Sequence, residues 1–140
     1  MMLVGFRARR VCASGRDQGV EEPTEPRHRI LLAEDDESLR EIFSEYLEEA
    51  GYSVVSAATG PEALTKATGW PFDLLITDMT MIGMSGQQLA ETLRARLPGL
   101  PVLLVSGSVP DAQLRQPDRG FLQKPFSGAR LVAKVREMLE

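Results

Sequence analysis

From Arg29 onward, short apolar runs alternate with stretches of helical period, and that alternation predicts repeated strand–helix units. Ile30-Leu31-Leu32-Ala33 is the first strand. Val54-Val55 within residues 52–57, Leu74-Leu75-Ile76 within residues 72–77, residues 102–105, and Phe121-Leu122 supply the other four. The first, third and fourth runs are apolar on successive positions, which suits strands covered on both faces and therefore a parallel sheet.

The intervening segments carry helix signals of their own. Ser38-Leu39-Arg40-Glu41 reads as a capping box, Leu39, Ile42, Phe43, Tyr46, Leu47 and Ala50 share one face, and Gly51 is placed to end the helix. Thr59-Gly60-Pro61-Glu62 is a second box, and Ser85 with Gln88 opens a third helix that Pro98-Gly99 closes. Ser127 is placed to cap the last helix, whose stripe is Leu131, Val132, Val135, Met138 and Leu139. The fourth helical segment is short: only residues 111–116 are available to it, between Pro110 and Pro117. The pattern predicts an α/β fold, a doubly wound five-stranded parallel sheet in flavodoxin-like order 2-1-3-4-5 with a short fourth helix. Right-handed crossovers then bring all strand C-termini to one edge, where function is expected.

Composition narrows the classes. A chain of 140 residues is one domain, 43% hydrophobic and 26% charged, and it lacks the roughly 20-residue apolar run a membrane span requires. The balance of 16 Lys+Arg against 20 Asp+Glu gives −4 and offers no overall basic surface for nucleic acid. Residues 1–29 hold six basic and four acidic groups (+2), leaving ten and sixteen (−6) for the remainder. Beyond the opening MMLVGF, that first stretch has little to bury, so residues 1–28 are expected to form a flexible tail and 29–140 the folded domain. Arginines follow the apolar opening, the reverse of a secretory signal. One cysteine, Cys12, and one histidine, His28, cannot assemble a disulfide or a Cys/His zinc site, and the chain reads as cytoplasmic.

The residues that follow each strand carry the chemistry. Glu34-Asp35-Asp36 follow the first, Asp78 the third, Ser106 the fourth, and Lys124-Pro125 the fifth. In the expected order, the strands bearing these groups are contiguous. Two carboxylates about 6 Å apart repel by roughly 3 kcal/mol at an effective dielectric near 20, and at least three would gather here. Lys124 offers one compensating charge; either an acid takes up a proton or a hard cation binds, and oxygen ligands favour magnesium or manganese over zinc. The acidic run could also be an ordinary helix N-terminus favoured by the dipole. Asp78 is harder to explain that way, because a carboxylate buried at a strand end is costly without a partner. A carboxylate can attack phosphorus to form an aspartyl phosphate when metal and ammonium neutralise the phosphoryl oxygens.

With these residues in view, ILLAEDDESLR, FDLLITDMTMIGMSG, PVLLVSGS and GFLQKPF, in that order and spacing over about residues 29–140, resemble the response-regulator (CheY-like) receiver domains of two-component signalling. The resemblance implies that Asp78 is the phosphoacceptor and that Glu34 and Asp35 hold Mg2+, Glu34 through water, with the backbone carbonyl of Thr80 as a further ligand. It implies that Ser106 is the hydroxyl that moves onto the phosphoryl group, Lys124 the ion-pairing lysine, and Lys124-Pro125 a cis bond. Phe121 falls at the switch aromatic, and is equally explained as strand core. Thr80 and Ser108 occupy positions that tune hydrolysis. Ile82 departs from the proline common in the loop after the acceptor, and Met79, Met81 and Met84 there read as packing. The stretch from Ser106 to Lys124 is about one helical turn short, a departure that falls on the face of fourth helix, fifth strand and last helix that commonly mediates dimerisation in the family and puts ordinary dimerisation through it in doubt. The short form resembles receivers attached to hybrid sensor kinases.

The implied activity is transfer of a phosphoryl group from a phosphohistidine on a sensor histidine kinase or histidine phosphotransfer protein to Asp78. Slow self-dephosphorylation follows, without a separate substrate. No output segment follows Glu140, so signalling is expected through a partner protein, with no direct contact to nucleic acid or membrane; the apolar edge of the first helix is the candidate docking face. An aspartate-nucleophile phosphatase needs a second acid where Thr80 stands, and a flavin module would meet repulsion from Glu34-Asp35-Asp36.

Overall fold

The computed structural model describes residues 28–69, 71–107 and 119–139. The expected tail up to residue 27, with Cys12, the short fourth helical segment at residues 111–116, and Ser108 lie outside the described residues. Along the chain run β1 (Arg29–Ala33), α1 (Glu37–Glu49), β2 (Ser53–Ala57), α2 (Gly60–Ala67), β3 (Leu74–Asp78), α3 (Gly86–Arg96), β4 (Val102–Ser106), β5 (Arg119–Gln123) and α4 (Gly128–Leu139). The strands form one parallel sheet in the order β2-β1-β3-β4-β5, the order the apolar pattern predicts.

Successive residues of a strand face opposite sides, so the unbroken apolar runs serve two cores at once. Leu31, Leu75 and Val102 lie side by side in the register and face α2 and α3, where they meet Ala63, Leu89 and Leu93. Their neighbours Leu32, Ile76 and Leu103 face α1 and α4, where Phe43, Leu47, Leu131 and Val135 complete the second core. Most of these side chains have no measurable exposure, and each buried Leu or Ile contributes roughly 1.5–3 kcal/mol.

The helix ends follow short-range hydrogen bonding, with two corrections. Thr59 and Ser85 cap α2 and α3, accepting from the Glu62 and Gln88 amides, and Gln88 reciprocates onto the Ser85 amide to complete a capping box. Glu62 instead reaches past Thr59 to the Ala58 amide. Ser127 accepts from the Arg130 amide at the start of α4, and Gly51, at φ +103°, ends α1. The N-cap of α1 is Asp36 rather than Ser38: its carboxylate accepts from the Leu39 amide at 3.1 Å, and Ser38 already lies inside the helix. Asp36 wins because the turn out of β1 is only three residues long, so the helix begins as soon as the chain can reverse.

The expected apolar face of α1 divides. Phe43 and Leu47 are buried, with the Phe43 ring stacked on Phe126 at 5.1 Å, whereas Ile42 and Tyr46 remain 42% and 38% exposed. The Tyr46 ring lies so close to Gly128 that a Cβ there would collide with it, which explains a glycine at the first position of α4. Among the described residues, no helix is long and apolar enough to cross a membrane.

Candidate functional site

The strand C-termini form one edge, and the turns leaving them assemble the site. Glu34 is the first residue past β1; its amide donates to the Ala57 carbonyl at 3.0 Å, extending the sheet by one bond and burying the side chain to 1% exposure. Its Oε2 accepts from the Asp36 amide at 3.2 Å. Asp35 follows and is exposed, while Asp36 is occupied as the cap of α1.

Asp78 is the last residue of β3, beside β1 and β4, and is 8% exposed. The Thr77 hydroxyl donates to the Asp78 carbonyl, and the amides of Met79 and Gly86 donate to the carbonyls of Val105 and Met79 at 2.9 and 3.0 Å. Gly86 comes so near the Asp78 carbonyl that any Cβ would collide with it. Only glycine lets the β3–α3 loop close this tightly against the Asp78 backbone. The Thr80 amide lies 3.5 Å from Asp78 Oδ1, and the Thr80 side chain is exposed.

Lys124 arrives from the opposite side. Its amide donates to the Ser106 carbonyl at 2.8 Å, and the Lys124-Pro125 bond is cis, as the family resemblance implied. Its Nζ lies 3.2 Å from Glu34 Oε1 and 3.6 Å from Asp78 Oδ2, a bridge between residues ninety positions apart in the chain. Ser106, 6% exposed, ends β4 one residue beyond Val105, the register partner of Asp78. Phe121 sits deeper: opposite Leu104 in the register, half-buried and packed against the α2/α3 core.

Glu34, Asp35 and Asp78 each present a carboxylate oxygen, and these oxygens lie within 4.8 Å of one another. Burial pushes the Glu34 carboxyl above the ordinary glutamate value, with the Asp78 charge adding to the rise; the Asp36 amide and Lys124 pull it back without cancelling it. One ammonium among three acids thus leaves a net negative, all-oxygen pocket. That donor set fits a hard divalent cation that keeps part of its water shell, and magnesium suits it better than zinc.

Sequence reasoning named Glu34, Asp35, Asp78, Lys124 and Ser106, and the fold brings all five to one edge. It did not single out Arg40, whose Nη1 donates to the Glu34 carbonyl at 2.8 Å, or Gly86. The available signals were a cationic side chain in the first turn of a helix and a glycine directly after a capping serine.

Comparison with known proteins gives the same architecture a family. Residues 30–136 match the response regulator receiver domain model, and the chain belongs to that family. It is 38% identical over 117 residues to the sensor kinase CckA of Brucella abortus, covering 79% of this chain but only 12% of that kinase. It is 36% identical over 116 residues to the response regulator receiver protein CpdR of the same organism, covering 79% of this chain and 96% of CpdR. Among solved structures, the chemotaxis protein CheY4 of Vibrio cholerae superposes with a TM-score of 0.77 at 29% identity, over 81% of this chain and all of that one.

Proposed function

We propose that Asp78 accepts a phosphoryl group from a phosphohistidine and that the acidic cluster holds Mg2+ while it does so. The observation that carries this reading is the meeting of Asp78 with Glu34, Asp35 and Lys124 within a few ångströms, at the edge of a receiver-domain sheet. A carboxylate oxygen of Asp78 attacks phosphorus, the P–N bond breaks, and its electron pair leaves with the imidazole. Lys124 and the Ser106 hydroxyl are the groups that receive the phosphoryl oxygens. Glu34, Asp35, Asp78 and the Thr80 carbonyl are the ligands assigned to the cation, which when bound supplies charge neutralisation to the incoming phosphoryl group.

The aspartyl phosphate then biases a two-state equilibrium in which Ser106 moves to the phosphoryl group and Phe121, half-buried on β5 beside β4, repacks. Water returns Asp78 to the free acid, with Thr80 bordering its path, so the domain dephosphorylates itself slowly and acts on no separate substrate. The donor is a sensor histidine kinase or a histidine phosphotransfer protein, for which the exposed Ile42 and Tyr46 on α1 form the docking edge. The unit doing this is residues 29–140, with 1–28 as a tail, working in the cytoplasm through a partner protein rather than on nucleic acid or membrane.

Intact mass after incubation with a small phosphodonor and Mg2+ tests the assignment. One phosphoryl group is expected on the wild type and none on Asp78→Asn; equal addition to both, or none to either, refutes it.

A further inference from the structure

The turn between β1 and α1 carries two of the three clustered acids, yet they are held very differently. Glu34 is fixed by the Ala57 carbonyl, the Asp36 amide and Lys124. Asp35 is exposed and, among the described residues, makes no side-chain hydrogen bond or ion pair, so its carboxylate points wherever the turn's backbone directs it. Arg40 closes that turn from both ends. Its backbone amide donates to the Asp36 carbonyl at 2.9 Å, and its guanidinium reaches back to the Glu34 carbonyl at 2.8 Å, bracketing Asp35. A cation in the first turn of a helix stands at the positive end of the dipole, where it is disfavoured unless something local holds it.

We propose that Arg40 is a positioning residue for the cation site: by clamping the Glu34 carbonyl it sets the direction of Asp35 toward Asp78 before any ion arrives. The inference rests on reading the acidic cluster as a Mg2+ site. It makes a prediction opposite in sign to simple electrostatics. If Arg40 contributed only its charge, removing it would relieve repulsion toward the incoming ion and tighten binding. If it holds the turn, removing it weakens binding, as loss of an outer-shell contact does in other metal sites.

Calorimetric titration of the full chain with MgCl2 decides between these. Arg40→Met, which keeps the aliphatic stem, is expected to weaken Mg2+ binding about tenfold. Arg40→Lys, with the charge but not the planar fork, should fall between it and the wild type. Thermal unfolding separates positioning from general loosening: the increment in melting temperature that Mg2+ gives should shrink in Arg40→Met, whereas a structural defect would lower the curves with and without Mg2+ alike. Unchanged or tighter Mg2+ binding by Arg40→Met overturns the proposal; should that variant not fold, unchanged binding by Arg40→Lys does so. A wild-type chain that binds no Mg2+ removes the cation site and this inference together. Normal wild-type binding lost in Asp35→Asn but retained in Arg40→Met removes the inference alone.

Discussion

The body of the central strand and its last residue lie about 10 Å apart and obey opposite rules. Leu75, the second residue of β3, is flanked by Leu31 and Val102, covered by α2 and α3, and fully buried. Asp78, three residues on, is nearly as buried, but its surroundings are Glu34, Asp35 and one ammonium. The first position gains stability from every contact it makes; the second holds like charges together and lowers the stability of the metal-free protein. The fold tolerates such an edge because the rows behind it are apolar on both faces.

Three measurements sharpen or break that contrast. The largest effect is expected from Leu75→Ala, which leaves a cavity with no exposed side to collapse into and should cost about 3–4 kcal/mol by urea unfolding. A cost below about 1 kcal/mol would mean that the body of the strand is not the anchor described here.

At the edge the sign reverses. Asp78→Asn removes repulsion from two acids while giving up one attraction to Lys124, so the metal-free domain should gain about 1 kcal/mol at neutral pH as it loses phosphoryl uptake. Glu34 is the buried partner in this repulsion, and its carboxyl is raised. A raised carboxyl lowers folded-state stability in full above its folded value, and that penalty fades as the pH falls from there to the ordinary unfolded value. The gain from Asp78→Asn should therefore shrink as the pH falls through the range just above the ordinary glutamate value. A variant less stable than the wild type at pH 7 would show that Lys124 outweighs the crowding.

The smallest effect belongs to a carboxylate outside the cluster. Glu62 pairs with Lys66 at 2.9 Å and accepts from the Ala58 amide; Lys66 first and that amide second hold its carboxyl below the ordinary value. Its stabilisation is present above the unfolded value and disappears as pH falls through the folded one. Glu62→Gln should cost no more than about 0.5 kcal/mol at pH 7 in thermal unfolding, and nothing in strong acid, where wild-type Glu62 is protonated in the folded and unfolded chain alike. A larger loss at neutral pH would mean that this exposed pair does more than hold the start of α2.

Much of this was legible in the linear chain. Strands buried on two faces must be apolar at consecutive positions, so Ile30-Leu31-Leu32 and Leu74-Leu75-Ile76 announced a parallel sheet. Caps such as Thr59, Ser85 and Ser127 act over three residues, a range at which sequence and structure hardly differ. The cap of α1 falls on Asp36 instead of the expected Ser38 because three candidate acceptors, Asp35, Asp36 and Ser38, crowd one turn, and the choice depends on how tightly β1 hands the chain over. Arg40 enters the sequence pattern only as an interior position of the Ser38–Glu41 box, because a side chain that turns back to the preceding loop leaves no periodic mark. Phe121 had two readings, and its half-buried place against the α2/α3 core is compatible with either.

The order of residue types along the chain determined the strands, their covering by helices, and the acids, hydroxyl and lysine at the strand ends, because each depends on neighbours within a few positions or on a simple period. Tertiary structure decided which oxygens share Lys124, that Glu34 rather than Asp35 is the buried acid, and that Arg40 brackets the turn between them. Those outcomes are set by distances of a few ångströms between groups as many as ninety residues apart, and Coulomb and hydrogen-bond energies vary too steeply over such distances for linear spacing to predict them.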